Sequence, residues 1–215
     1  MTTRDKAGTP RRVLDLFCGA GGAAMGLHRA WPEAEIVGVD IKPQPRYPFK
    51  FILGDAMAFP LEGFDFAWAS PPCQKYSATA VWHGREHPDC LPGTRQRLMA
   101  SRLAWVIENV VGAPMRSDFL LCGSHFGQPR MRRHRLFEVS WNGPHISPQC
   151  QHSKEVAITI CGHGGRAAGK FHNSPSVWRE VMGIPWMNRH ELSEAIPPAY
   201  SQYIAEQFTK EANRG

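Results

Sequence analysis

Near its start the chain runs from Val13-Leu14-Asp15-Leu16-Phe17, an apolar stretch with one acid, straight into Cys18-Gly19-Ala20-Gly21-Gly22. A helical apolar pattern with Met25, Leu27 and Ala30 follows at once. Strand, glycine turn and helix in direct succession leave few folds open, because the helix must carry the chain back to a second strand beside the first. Glu35-Ile36-Val37-Gly38-Val39-Asp40 reads as that strand, and its terminal carboxylate falls about twenty residues after the glycines, where a ribose would be held. A third strand, Phe49 to Leu53, ends in Gly54-Asp55-Ala56, where a carboxylate can accept from an adenine amino group. Both acids can instead be plain helix N-caps. No Gly-Lys-Ser/Thr phosphate loop is present, and the turn lacks full Gly-x-Gly-x-x-Gly spacing. An adenosine cofactor without phosphates suits the pattern better than a nucleotide.

Two further apolar runs deliver reactive side chains. Phe64-Asp65-Phe66-Ala67-Trp68-Ala69 leads into Ser70-Pro71-Pro72-Cys73-Gln74, so Cys73 stands at the carboxyl end of a strand, on the edge where parallel sheets bind ligands. Rigid prolines beside a polar loop present a thiol, although an inert cysteine at a Pro-Pro turn is the alternative. A thiol attacks as thiolate, which nearby cations favour, and Arg130, Arg132, Arg133 and Arg135 are available downstream. Ala104-Trp105-Val106-Ile107 delivers Glu108-Asn109-Val110 to the same edge. A buried Glu108 needs an arginine or a substrate donor beside it. A purely structural pairing with arginine is equally compatible with the sequence.

Asp15-Leu16-Phe17-x-Gly19-x-Gly21-Gly22, Asp40, Gly54-Asp55, Pro72-Cys73-Gln74 and Glu108-Asn109-Val110 occur in the order found in DNA (cytosine-5) methyltransferases. The resemblance covers residues 12 to 138 and resumes at Ala195-Ile196-Pro197-Pro198. It implies an α/β, Rossmann-like, S-adenosylmethionine-dependent methyltransferase fold with a small recognition lobe. It also implies S-adenosylmethionine as donor, lined by Phe17, Gly19, Ala20, Gly21, Gly22, Asp40, Ile41, Asp55, Ala56 and Pro72. Cys73 would add to C6 of cytosine, and Glu108 would contact N3 and the exocyclic amine as negative charge builds on the ring. The target base would have to leave the duplex stack. An RNA cytosine methyltransferase and a catalytically silent DNA-binding protein on the same fold are the rival readings.

From Lys75 to Arg97 the sequence suits a mobile loop closing over that base. Gln74, Tyr76 and Trp82 would contact or wedge the bases, and Arg85, Arg95 and Arg97 would meet phosphates. The family's Gln-x-Arg-x-Arg block matches Gln128-Pro129-Arg130-Met131-Arg132 literally, but Arg133-His134-Arg135-Leu136-Phe137 matches it a few residues later. In the literal register, Arg130 and Arg132 join Cys73 and Glu108, while Arg133 and Arg135 bind phosphate.

A net charge of +6 and a pI near 9.2 suit a polyanionic partner, here double-stranded DNA. The 215 residues, 42% hydrophobic, suffice for one well-cored domain. No apolar run reaches membrane-spanning length, and six cysteines without a secretion signal read as reduced thiols of a cytoplasmic, monomeric protein. Residues 1–10 are expected to be a flexible basic tail, 11–140 the catalytic domain, 141–175 the recognition region, and 176–215 a segment returning to the catalytic domain. So small an insert, like that of compact phage-type members, predicts a recognition sequence of about two to four base pairs. Within it, Cys150-x-His152 and Cys161-x-His163 offer zinc ligands, but their spacing departs from the usual gaps. The adopted reading is metal-free, with the glycine-rich loop around Arg166, Lys170 and His172 close to DNA. Ser193-Glu194-Ala195 stands where the family commonly has Gly-Asn, which places Glu194 and Ala195 beside the methionine part of the donor.

Overall fold

In a computed structural model of the protein, residues 8–76, 87–160 and 174–214 are described. Residues 1–7 of the expected tail therefore lie outside the described residues, as do Trp82, Arg85, Cys161, His163, Arg166, Lys170 and His172. The strands are β1 (Arg12–Leu16), β2 (Glu35–Asp40), β3 (Lys50–Leu53), β4 (Phe66–Ala69), β5 (Ala104–Val110), β6 (Phe119–Leu121) and β7 (Arg135–Val139). The helices are α1 (Gly22–Ala30), α2 (Leu91–Ala100), α3 (Pro175–Met182), α4 (Arg189–Glu194) and α5 (Pro198–Ala212).

They build one seven-stranded sheet in the order β3-β2-β1-β4-β5-β7-β6. Strands β1 to β5 run parallel to one another, and β7 lies antiparallel to both β5 and β6. The Rossmann-like α/β fold expected from the sequence is the one adopted. Its strand order reverses between β1 and β4, so the loops after those two strands flank the crevice at their carboxyl ends.

The central strands are apolar on both sides because both are covered. Val13, Ile36, Phe66, Trp68 and Val106 pack beneath α1, α3 and α5. Leu14, Leu16, Val37, Val39, Ala67, Ala69, Trp105 and Ile107 pack on the opposite face with Leu91 and Leu98 of α2. Asp65 anchors the start of β1, its carboxylate accepting from the Arg11 and Arg12 amides at 2.9 and 3.0 Å.

The chain from Lys75 to Arg97 is not one long loop. Leu91 to Ala100 is a helix with Pro92 in its first turn, burying Leu91, Thr94 and Leu98. Arg95 and Arg97 consequently ride on a packed element. Among the described residues, no helix is long and apolar enough to cross a membrane.

Helix α5 lies directly against α1, and two glycines set their approach. A Cβ on Gly22 would fall 2.3 Å from the Ile196 carbonyl oxygen, and one on Gly26 would fall 2.0 Å from that of Pro198. Ser201 Oγ donates to the Ala23 carbonyl at 2.8 Å, and the Trp31 indole donates to Thr209 Oγ1 at 2.9 Å. The Gly26→Ala substitution must push the two backbones apart. It is expected to cost about 2 kcal/mol or more of unfolding free energy in urea denaturation, at the upper end for overpacking. A change below about 0.5 kcal/mol, the range of neutral surface substitutions, would contradict this packing.

Candidate active site

The carboxyl edge of β4 leaves the sheet as Ser70-Pro71-Pro72-Cys73. Its position is set from two sides: the Ser70 amide donates to the Leu16 carbonyl at 3.1 Å, and Asn109 Nδ2 donates to the Pro71 carbonyl at 3.0 Å. Asn109 is fully buried, so this bond ties the proline loop to β5 in the interior. Cys73 is half-buried at the start of a single 3-10 turn, Gln74–Tyr76. Gln74 is exposed on that turn, and Pro72 is half-buried before it.

Glu108 is 4% exposed in β5. Its partner is Arg135, whose Nε lies 3.0 Å from Oε1. Register explains the pair. Arg135 is opposite Val110 across the antiparallel β5–β7 ladder, so it shares a face with Glu108 two residues away and reaches it diagonally. Ser70 adds a side-chain hydrogen bond to the same carboxylate, and its hydroxyl accepts from the Trp68 indole at 3.0 Å.

Burial pushes the Glu108 carboxyl above its ordinary range, against the pull of Arg135, the Ser70 hydrogen bond and Arg133. Burial also raises the Cys73 thiol, the Glu108 carboxylate adds to that, and Arg135 and Arg133 offset it only in part. The guanidinium pair therefore does not draw the Cys73 thiol below its ordinary value, and burial favours the protonated form of Glu108.

The arginine block takes the later of the two registers. Arg130 and Arg132 were expected at the base or Glu108, yet both side chains turn outward. Arg130 Nε donates to the Val156 carbonyl and faces Glu155 at 3.3 Å, and Arg132 donates to the Ser153 carbonyl. Arg133 and Arg135 were expected on phosphate, but Arg135 is committed to Glu108 and Arg133 is buried. Its guanidinium donates to the carbonyls of Ile160, Ser193 and Ala195 at 2.9 to 3.0 Å. The block lies in an irregular stretch before β7, and only the pairing of that strand decides which arginine turns inward.

Other expected DNA contacts are also redirected. Arg95 forks onto buried Glu138 with a closest approach of 2.7 Å, and Arg97 holds the carbonyls of Ala56 and Phe59. The Tyr76 hydroxyl donates to Asp89, which also pairs with Lys75 at 2.8 Å, so this phenol is taken up by a protein carboxylate.

The glycine turn after β1 forms the other half of the crevice. Phe17 is the one non-glycine residue with a left-handed backbone, φ 58°, among the described residues, a conformation seldom kept without tertiary enforcement. Where a Cβ on Gly19 would stand there is open space. Gly21 and Gly22 instead serve packing: a Cβ there would strike Pro48 or the Ile196 carbonyl. Ala20 is buried, and its carbonyl accepts from the Trp186 indole at 2.9 Å, a contact that no sequence signal announced.

Asp40 accepts from the Gly19 and Lys42 amides through Oδ2 and Oδ1, at 3.0 and 2.9 Å, and remains half-buried at the end of β2. Ile41 beside it is 70% exposed, an apolar face open to a ligand. Asp55 is exposed and caps the following turn, accepting from the Met57 amide at 2.8 Å, while Ala56 is buried in the core. Glu194 lies at the end of α4. It is exposed and faces His190 at 3.8 Å, while Ala195 is half-buried and bonded through its carbonyl to Arg133.

Cys150 and His152 converge with Cys122 and His134, all four donor atoms lying within 4.8 Å of one another. The second Cys-x-His pair expected from the sequence is thus not needed to complete a four-ligand set.

No protein-family profile and no curated protein sequence matches the chain. Among solved structures it is similar to the plantazolicin methyltransferase BpumL in complex with SAH, at a TM-score of 0.34 and 16% identity over 47% of this chain and 39% of that one. It is also similar to an O-methyltransferase of a trans-AT PKS multienzyme of Brevibacillus brevis, at 0.31 and 18% over 46% and 35%. A fibrillarin/Nop5p complex matches at 0.35 and 13% over 60% of this chain and 72% of that one. The chain thus spans about two fifths of the length of the first two, 39% and 35%, and likeness at these TM-scores says nothing of substrate.

Asp15 sits beneath the glycine turn, 1% exposed, with the Tyr47 hydroxyl at 3.2 Å from Oδ2 and its other oxygen without a hydrogen-bond partner among the described residues. Burial raises its carboxyl to about 8, outweighing that hydrogen bond. A raised acid contributes stability that is complete below the unfolded value of 3.8 and lost as pH climbs to about 8. The Asp15→Asn protein is therefore expected to gain on the native chain by a few kcal/mol as pH rises through that window. Thermal melts of the two proteins at matched pH measure it, and a constant difference across the window would contradict a protonated Asp15.

Proposed function

We propose that the chain is an S-adenosylmethionine-dependent methyltransferase acting on C5 of cytosine in double-stranded DNA. The observation that carries this reading is the convergence of Cys73, Glu108 and Arg135 at the carboxyl edge of β4 and β5, across from the glycine turn. Cytosine C5 is a poor nucleophile until a thiolate adds at C6 and makes the ring an enamine, so the chemistry needs a thiol and a proton donor on one base.

The cofactor half of the crevice suits an adenosine. Asp40 is held by two amides and offers remaining lone pairs to ribose hydroxyls, Ile41 presents an apolar face, and Gly19 leaves room where a side chain would stand. When bound there, S-adenosylmethionine supplies an electrophilic methyl group.

Cys73 loses its thiol proton to water and attacks C6 through the Sγ thiolate, and protonated Glu108 donates to N3 as charge develops. Arg135 orients that carboxyl and lowers the energy of both anions, the thiolate and the carboxylate left after proton transfer. Asn109 keeps the proline loop, and hence Cys73, in line with β5. Once C5 carries the new methyl group, water takes the C5 proton, the C6–S bond breaks to release Cys73 as thiolate, and the N3 proton returns to Glu108. The positive charge of the chain favours a polyanionic substrate, and a base held in a stack must be flipped to reach Cys73.

Nucleoside mass spectrometry of duplex DNA incubated with the protein and S-adenosylmethionine is the direct test. 5-Methylcytosine should form, and the Cys73→Ala protein should form none. Methylated transfer RNA with unmodified DNA would move the substrate to RNA, and no product from folded, cofactor-binding protein would leave a non-catalytic role.

The assignment of Arg135 makes a second prediction. Arg135→Gln should lower the single-turnover rate by about 100-fold or more, whereas Arg132→Gln should stay within a few-fold. Because the thiol titrates above its ordinary value, the rate of covalent trapping on 5-fluorocytosine DNA should still be rising at alkaline pH. Loss of the Arg135 charge should shift that rise to higher pH. Equal losses in the Arg132 and Arg135 proteins would argue against this register.

A further inference from the structure

The segment after β7 is held chiefly by hydrogen bonds, among them those of Tyr203 to the Ile146 carbonyl and of Arg130, Arg132 and Arg133 to the Val156, Ser153 and Ile160 carbonyls. From Trp141 to Ile160 it forms no helix or strand, and its only side chains in the core are Ile158, Ile160 and the partly buried Trp141. It lies along the chain between β6 and β7 through scattered backbone bonds, including Ser153 N to the Pro129 carbonyl and Ile158 N to the Arg130 carbonyl at 3.1 and 2.9 Å. Hydrophobic burial on that scale is a weak fastening.

At the middle of this contact, Cys122 Sγ stands 3.2 Å from His152 Nε2, and His134 Nε2 stands 3.4 Å from Cys150 Sγ. In a tetrahedral zinc site, with Zn–S of about 2.3 Å and Zn–N of about 2.0 Å, neighbouring donors are spaced about 3.3 to 3.8 Å apart. The observed pairs, at 3.2 and 3.4 Å, are close to that spacing, and all four donor atoms lie within 4.8 Å of one another. Cys122 is fully buried at the end of β6, His134 immediately precedes β7, and Cys150 and His152 come from the irregular segment, so the donors approach from three directions. No carboxylate belongs to the group. Two thiols and two imidazoles are a soft, closed donor set that selects zinc over calcium or magnesium.

The surroundings suit metal ligation. The His134 ring is also hydrogen-bonded to the Arg132 backbone, the kind of second partner that orients a ligand imidazole. His125 accepts from the Cys122 amide through Nδ1, and its Nε2 is 3.4 Å from Cys150 Sγ, where an N–H would support a thiolate.

We infer that Cys122, His134, Cys150 and His152 form a structural zinc site that pins the segment after β7 to the base of that strand. Binding releases both thiol protons, so Zn²⁺, two thiolates and two neutral imidazoles make a neutral cluster. His134 lies between Arg133 and Arg135, and the cross-link would therefore also brace the arginine that meets Glu108. The site stands independently of the methyl-transfer reading.

The test uses the full chain, reduced, loaded with zinc chloride and desalted, then measured for metal by mass spectrometry. About one zinc per chain should be retained, with a rise in melting temperature, and Co²⁺ in its place should show the intense visible bands and thiolate charge transfer of a tetrahedral sulfur-ligated ion. The Cys150→Ser and His152→Ala proteins should retain less than about a tenth as much while keeping the circular dichroism of the native chain, since both side chains are exposed. Cys161→Ser should bind as the native chain does. Retention of zinc by the first two proteins, or its loss in Cys161→Ser, would overturn this ligand set. Native protein without zinc would overturn the site, whether its thiols are free or peptide mapping finds Cys122 and Cys150 joined as a disulfide.

Discussion

The buried carboxylate of Glu108 is the constraint around which the crevice is organised. A lone ionised carboxyl at that depth is untenable, and breaking such a pair by removing one partner costs about 3 to 5 kcal/mol. The remedy comes from a strand that runs the other way. Because β7 is antiparallel to β5, Arg135 enters at the carboxyl edge of the sheet, where a parallel neighbour would have placed its own last residues. The same reversal carries His134 and Arg133 to that edge. One topological decision thus sets the Arg135–Glu108 contact and the approach of the segment after β7.

Arg133 extends the arrangement into the C-terminal half. A guanidinium so deeply buried is kept by carbonyl acceptors, and those of Ile160, Ser193 and Ala195 come from two separate stretches of chain. Tyr200 of α5 closes the circuit by donating to the Arg133 carbonyl at 2.7 Å. Helix α5 in turn lies against α1, where Gly22 and Gly26 let the backbones meet. The end of the chain is therefore mechanically continuous with the glycine turn and with the strand bearing Arg135, although these lie far apart in the sequence.

Strands β1 to β5 were legible because each is an apolar run bounded by turn residues, and because a parallel sheet places every strand end on one side. Their carboxyl-end residues Asp40, Ser70 to Cys73 and Glu108 follow from that rule without further information. The arginine block was not legible in the same way. Arg130, Arg132, Arg133 and Arg135 are chemically equivalent in sequence, and side-chain direction in an irregular stretch depends on what it packs against. Arg95 and Arg97 misled for a related reason: their helix carries arginines on a face that meets Glu138 and the Ala56 and Phe59 carbonyls. Cys122 drew no attention because a single cysteine after a short apolar run looks like core.

By itself, the sequence determined the parallel α/β order, the glycine turn, and the placing of Cys73 and Glu108 at strand ends, since these rest on local patterns and on the geometry of neighbouring strands. Tertiary structure alone decided that Arg135 meets Glu108, that Arg133 is a buried tie, that Gly22 and Gly26 serve helix approach, and that Cys122 and His134 meet Cys150 and His152. Each of those contacts joins residues far apart in the chain, and their choice among equivalent partners is made by strand register and burial, which no local pattern encodes.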